Sequence, residues 1–437
     1  LNAANYDTCF VRFDKMRCTG CSSCLRVCPT KAIRIKEAKS IRLVDRCIGC
    51  GACVRICPSG AVSAATAKPP FIDPDSIAVA LVSPVLYAQF PGVMPNDVLL
   101  GLRQLGFQHT IDMSYFLEMF QYATEEYIQR NRQKGMSPWP LISPVCPVVV
   151  RLIAFQFPDL LPHVLPVLRP VALMAREVRQ RLIPEYEKKG QRVTLYYINP
   201  CPTQMAPHCR SEGAQGVALD VPIGINDIYP MLSKQIDALR DADSIPFAQT
   251  RFEYESCATG NASMWAISGG EIADMEVEHS LAVSGLKETI AYLQKIELGL
   301  FEDVEYIEFR TCREGCLGGV LTVTDKYLAK SAVQKMVKMF GVGRRLPRQA
   351  ILRMYERGKF QTEKGAEKLL KLYGARKEAL SLDAAQKIEK TLEMVEGRDC
   401  AACGAPDCRT FAEDVVRGKA GLKDCLWLRT RERKKRR

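Results

Sequence analysis

Between residues 76 and 340, short apolar runs alternate with amphipathic stretches, a pattern that predicts an α/β body built on parallel sheets. The strands it predicts are Ile77–Val82, Phe107–Ile111, Val193–Ile198 and Val304–Phe309. The predicted helices are Pro95–Leu105, Phe116–Gln133, Met174–Lys188, Ser280–Leu298 and Asp325–Phe340. From Thr362 to Glu396, Lys, Glu, Ala and Leu recur with helical periodicity, which predicts a connector. The start of the chain follows another rule. There Cys-Pro-Thr-Lys-Ala-Ile is answered 29 residues later by Cys-Pro-Ser-Gly-Ala-Val, an internal repeat closed by the stiff linker Lys68-Pro69-Pro70. The organisation expected is a repeat domain over residues 1–68, a body over 69–345, a helical connector over 346–396, a small domain over 397–430 and a basic tail over 431–437.

Sixteen of the nineteen cysteines fall into recognisable spacings. Cys18, Cys21, Cys24 and Cys28 run C-x2-C-x2-C-x3-C and are followed by Pro29; Cys47, Cys50, Cys53 and Cys57 repeat the run before Pro58. This is the two-cluster ferredoxin signature, in which the fourth cysteine of each run ligates the other cluster. One 4Fe-4S cluster is therefore assigned to Cys18, Cys21, Cys24 and Cys57, and the second to Cys47, Cys50, Cys53 and Cys28. A cubane needs four thiolates converging on a small core, which no regular helix or strand presents. A loop with a cysteine at every third residue can wrap it, and Gly20, Gly49 and Gly51 let the backbone pass close. Zinc is the alternative for any C-x2-C pair. Two tandem runs with Cys-Pro ends favour iron–sulfur clusters.

At 437 residues the chain is long enough for two or three domains and a large core. No apolar run approaches a membrane span, and Leu1 to Asp7 are polar, with no signal-peptide pattern. Cluster cysteines need a reducing compartment, so a cytoplasmic location is expected. The formal charge is +12, but seven basic residues between Arg429 and Arg437 stand against Glu432 alone. Each cubane with its four thiolates carries about −2 when oxidised. Four of them would bring the folded part close to neutral, so no nucleic-acid partner is expected. The tail is expected to be solvated and disordered, with docking to an acidic partner or lipid as the alternative.

Four further cysteines lie in the body. Cys146 sits in Ser143-Pro144-Val145-Cys146-Pro147, Cys201 in Asn199-Pro200-Cys201-Pro202, and Cys312 and Cys316 in Thr311-Cys312-Arg313-Glu314-Gly315-Cys316-Leu317-Gly318-Gly319. The last two loops directly follow predicted strands, and open α/β sheets build their sites at the carboxyl ends of strands. This stretch resembles the catalytic domain of iron-only (FeFe) hydrogenases, whose motifs run TSCCP, PC and a final CxxxC followed by Gly-Gly. The resemblance extends to Val82-Ser83-Pro84-Val85, Leu105-Gly106-Phe107 and Phe157-Pro158-Asp159-Leu160, and covers residues 76 to about 340. It implies that Cys146, Cys201, Cys312 and Cys316 bind a cubane, with Cys316 bridging to a di-iron subsite that carries CO and cyanide, if one is present.

The departures from the family pattern bear on activity. The family's proton-donating cysteine is replaced by Val145, its cyanide-bonding lysine by Gln204, and two methionines by Asn199 and Arg310; its proton-relaying glutamate falls on Ala123. Proton reduction needs a titratable group within reach of the metal, and valine is not one. The expected second shell of a di-iron site is thus degenerate, although the cubane ligands remain.

Cys400, Cys403, Cys408 and Cys425 are spaced C-x2-C-x4-C-x16-C, with a helix Arg409–Arg417 expected between the third and fourth. The motif is similar to the small 4Fe-4S domain that ends some hydrogenase-like sensors and occurs in corrinoid iron–sulfur proteins; a zinc module is the alternative. Cys9, Cys209 and Cys257 are left over and read as ordinary thiols, and Gly341-Val342-Gly343 is too short for a dinucleotide fingerprint. Three functions compete. The first is an electron relay within a larger redox complex, with four 4Fe-4S clusters and little or no hydrogen turnover. The second is a hydrogen or redox sensor with a slow H-cluster, and the third a ferredoxin-type hydrogenase.

Overall fold

The computed structural model describes residues 11–43, 46–69, 71–135, 138–205, 219–241, 263–341, 343–344, 346–361, 381–395 and 397–435. Cys9, Cys209, Cys257, residues 362–380 of the expected connector and part of the Gly341–Gly343 loop lie outside them. The chain divides into two compact units. One joins residues 9–65 to 372–437, and the other is the body, residues 66–371, with 1–8.

In the first unit, strand β1 (Val11–Phe13) pairs antiparallel with β4 (Val62–Ala64), and β2 (Ile33–Lys36) with β3 (Lys39–Arg42). Two short helices, α1 (Ser23–Val27) and α2 (Ala52–Ile56), carry the third cysteine of each run. Each helix is entered through a left-handed residue, Ser22 and Gly51. Gly20 is required for a close approach: at φ +72° its missing Cβ would lie 2.4 Å from the carbonyl oxygen of Ala38.

The body holds two parallel sheets. The larger has the order β6-β5-β8-β9, with β5 Ser76–Val82, β6 His109–Asp112, β8 Arg192–Asn199 and β9 Val221–Gly224. The smaller has the order β10-β11-β7, with β7 Leu141–Ile142, β10 Ser280–Ser284 and β11 Tyr306–Arg310. The central strands are buried on both faces: Ala78 to Val82 and Leu195 to Asn199 are almost wholly enclosed. Helices α3 (Pro95–Gln104), α4 (Ser114–Lys134) and α5 (Pro147–Gln156) follow β5, β6 and β7. The mixed α/β class with parallel sheets is as the sequence pattern indicated.

Two expected helices come out differently. Ser280–Leu298 divides into β10 and a helix, Leu286–Glu297, with Gly285 between them at φ +104°. Pairing with β11 decides the matter, because five consecutive residues of β10 sit in register with it. Met174–Lys188 begins earlier, at Pro170, and breaks at Leu182, where Pro184 starts a second short helix, Ile183–Glu187. The helix Arg348–Glu356, within the expected connector, buries Ile351 and Tyr355 in the same core as Phe116 and Phe120 of α4.

At the chain's end, the helices Leu382–Val395, Cys408–Val416 and Leu426–Lys435 enclose a small core of Val395, Ala405, Phe411 and Cys425, with Leu392 and Trp427 at its edge. The backbone of the basic tail is helical as far as Lys435 rather than irregular. Among the described residues no helix is long and apolar enough to cross a membrane.

Candidate metal centres

All four body cysteines sit just beyond the carboxyl ends of strands. Cys146 follows β7 and caps α5; Cys201 follows β8; Cys312 and Cys316 follow β11. The two sheets thereby present their loops to one place, a cavity lined by Cys316 with Ser83, Val145, Gln204, Trp265 and Arg310. Cys146 is near enough to raise the pKa of Cys201, and Cys146 and Cys201 both raise that of Cys316. Burial pushes the Cys201 thiol to about 11 and then Cys146 adds to it; burial likewise takes Cys316 to about 12 against the opposing charge of Arg310. The glycines after Cys316 are a packing requirement, since a Cβ on Gly319 would lie 2.7 Å from Pro200 and one on Gly318 would lie 2.1 Å from the Arg313 carbonyl oxygen.

The residues fit a cubane on two counts. Thiols whose ionisation is suppressed by burial are stabilised as thiolates once cationic iron neutralises them. The side chain of Asn199, wholly buried, accepts from the Cys201 N–H at 2.8 Å and leaves its own Nδ2 with no hydrogen-bond partner among the described residues. An orphaned donor beside a ligand is what a cluster sulfur would satisfy.

The positions where the family carries its proton and cyanide machinery can be placed individually. Val145 lines the cavity, and Gln204 lines it with its Oε1 accepting from the Tyr197 hydroxyl at 2.7 Å. Ala123 is buried in the core on α4 and is not part of the cavity wall. Arg310 enters the wall while its Nη2 donates to Glu271 at 2.7 Å and its Nε to Glu308 at 3.0 Å. The Tyr306 hydroxyl donates to Glu271 at 2.5 Å, and Gln121 Nε2 donates to the Glu271 carbonyl oxygen at 3.0 Å. Sequence reasoning did not find Glu271 and Glu308, which are wholly buried. One guanidinium serves two carboxylates, and burial, with Glu271 adding to it, holds Glu308 up at about 7 despite Arg310. The only available signal was the Glu-Phe-Arg alternation on a strand leading into a metal loop.

In the ferredoxin segment one hydroxyl gathers two ligands. Ser40 Oγ lies 3.4 Å from Cys18 Sγ and 3.3 Å from Cys24 Sγ, and the Ser40 N–H reaches Cys18 Sγ at 3.4 Å. Cys28, Cys47, Cys50 and Cys53 line a common cavity. Burial raises the Cys53 thiol to about 12, with Cys47 and Cys28 next in effect. Cys28 thus lies beside the cysteines of the second run. Cys57 has its own donors: although burial opposes ionisation, hydrogen bonds from Ser59, Val62 and Ala61 bring it below the usual thiol range. Its place in the first cluster rests on the motif.

Cys400, Cys403, Cys408 and Cys425 line another cavity with Phe411 and Trp427. Asp399 braces the loop by accepting from the Cys408 N–H at 2.7 Å. Among the described residues no three His, Cys, Asp or Glu side chains converge as a single metal ion would require. A lone tetrahedral zinc draws its sulfurs to about 2.3 Å from one centre.

Comparison with known families agrees with this layout. The description "Iron only hydrogenase large subunit, C-terminal domain" matches residues 76–320, "4Fe-4S dicluster domain" matches 10–58, and "Putative Fe-S cluster" matches 396–426. The chain belongs to the iron-only hydrogenase large-subunit family and is an iron–sulfur protein. Among solved structures it is similar to the apo FeFe-hydrogenase HydA1 from Chlamydomonas reinhardtii, at 16% identity and a TM-score of 0.45, over 66% of this chain and 91% of that one. A structure described as showing stepwise FeFe-hydrogenase H-cluster assembly, HydA(deltaEFG), is similar at 17% identity and a TM-score of 0.44, with the same shares covered. No curated protein matches the chain.

Proposed function

We propose that the protein is an electron relay within a redox complex, using four 4Fe-4S clusters and carrying out little or no hydrogen turnover. A bound cubane takes up and releases one electron at a time. The chain's own contribution is to hold the sixteen thiolates, exclude water from the body site and set the charge around the others. The observation that carries this reading is the wall of the body cavity: Val145, Gln204 and Arg310 occupy it where a proton donor and a cyanide partner would be needed. Arg310 is held protonated, because Glu308 and Glu271 outweigh its burial, so it hands no proton on at neutral pH.

The distribution of charge supports docking of acidic redox partners. The unit made of residues 9–65 and 372–437 holds 27 Lys and Arg against 14 Asp and Glu, while the rest of the chain is near neutral, 34 against 35. Three clusters at about −2 each would leave that unit positive. Cys21 and Cys400 are exposed there, which puts ligand edges at the surface for exchange.

Stoichiometry tests the assignment. Sixteen ligands in four sets imply about sixteen irons per chain in anaerobically purified protein. A reproducible count near eight would leave only the ferredoxin clusters and remove the body and the terminal domain from the relay.

A further inference from the structure

The end of the chain folds back onto the ferredoxin segment within one compact unit. The Ile35 N–H donates to the Gly404 carbonyl oxygen at 2.9 Å. Gly404 has φ +82°, and a Cβ there would lie 2.0 Å from the Ile35 carbonyl oxygen, so the two backbones approach more closely than any side chain allows. Around this contact Arg34 pairs with both carboxylate oxygens of Asp414, the two side chains only 5% and 10% exposed. Lys31 meets Asp407 at 2.7 Å, and Arg46 meets Glu413 at 3.4 Å. Three basic residues from between the two ferredoxin cysteine runs thus face three acidic residues on or beside the helix Cys408–Val416. At the centre lies Ala401, left-handed at φ +61°. It is buried in one apolar cluster with Cys24, Leu25 and Ile33, and Cys28 and Cys53 lie at the edge of that cluster.

We propose that the terminal module is a built-in third carrier of the ferredoxin domain, docked by the Ile35–Gly404 contact and the three ion pairs so that Ala401 bridges the Cys400–Cys403 ligand loop to Cys24. Tunnelling falls steeply with distance, and Ala401, between Cys400 and Cys403 in the chain, packs in one cluster with Cys24. Clusters held by the two cysteine sets would exchange one electron with no bond made or broken and no proton required. The proposal rests on that reading only in needing a cluster in the terminal module; it does not depend on whether the body carries a di-iron subsite.

The test compares two left-handed glycines of the module in the full-length, cluster-loaded chain. Gly418 has φ +69° and open space around its Cβ position, so Gly418→Ala carries the backbone penalty without the collision of Gly404→Ala. Amide exchange at Ile35 should accelerate at least about tenfold in Gly404→Ala and stay native in Gly418→Ala. The paramagnetic resonance signal of the reduced terminal cluster, isolated by subtracting a Cys403→Ser chain, should be broadened by the reduced ferredoxin clusters in the native protein and sharpen in Gly404→Ala. If Gly404→Ala does not retain its terminal cluster, Asp414→Asn, remote from the ligand loop, should give the same two changes. Native Ile35 exchange in the cluster-retaining variant would overturn the proposal. So would a terminal signal in the native chain that is indifferent to the redox state of the ferredoxin clusters.

Discussion

Hydrogen evolution by the chain, even when coexpressed with the maturation machinery, is expected to be at least about 100-fold below that of a standard iron-only hydrogenase, the lower end of what a positioned proton donor contributes. The reason is local. Val145 lines the cavity where a thiol would stand, and Gln204, tied to Tyr197, has no charge to offer a cyanide. Ala123 is buried in the core of α4. The buried carboxylates Glu271 and Glu308 are both engaged by Arg310, which lines the cavity while they do not. Val145→Cys alone should recover little, because a restored thiol would still face a guanidinium rather than an acid. Gas evolution with reduced viologen as donor measures this. Turnover comparable to a standard hydrogenase in the unmodified chain would reject the account of the site.

Loss of the terminal cluster should unfold its module and leave the body intact. Serine is a poor, hard ligand for a soft iron–sulfur core, so Cys400→Ser should remove about four irons per chain. Cys400 is exposed, and the substitution by itself opens no cavity. What remains is a core of four buried side chains, one of them the ligand Cys425, which is too small to hold three helices by apolar burial. Limited proteolysis should then cut within 381–435, while the body, with its extensive buried cores around β5 and β8, stays resistant. Because Ala401 and Gly404 would leave with the module, the face around Cys24, Leu25 and Ile35 should become exposed as well. A metal-free module that kept its protease resistance would show that it folds without its cluster.

The sequence made the body strands and metal loops legible because both rest on local signals. β5 and most of β8 are apolar, and Cys146, Cys201 and Cys316 each lie beside a proline or a glycine near a strand end, with Cys312 in the same loop as Cys316. The boundary at Gly285 was not legible, since Ser280–Leu298 satisfies a helical period until β11 is available as a pairing partner. Glu308 was missed for a related reason: a charged residue on a strand reads as exposed until a buried arginine from the same strand is placed against it, and Glu271, in a turn far from that strand in sequence, carries no local sign that it meets the same guanidinium. The return of the terminal module could not be read at all. The contact of Gly404 with Ile35 joins residues far apart in the chain, and a glycine after a C-x2-C pair has an adequate local explanation.

Infrared spectroscopy of the maturase-coexpressed, anaerobically purified protein tests the central claim most directly, because metal-bound CO and cyanide absorb where protein does not. An electron relay with a cubane and no working di-iron site should give no such bands while retaining about sixteen irons per chain. Bands from metal-bound CO and cyanide in stoichiometric amount would contradict it and return the body to the sensors or hydrogenases.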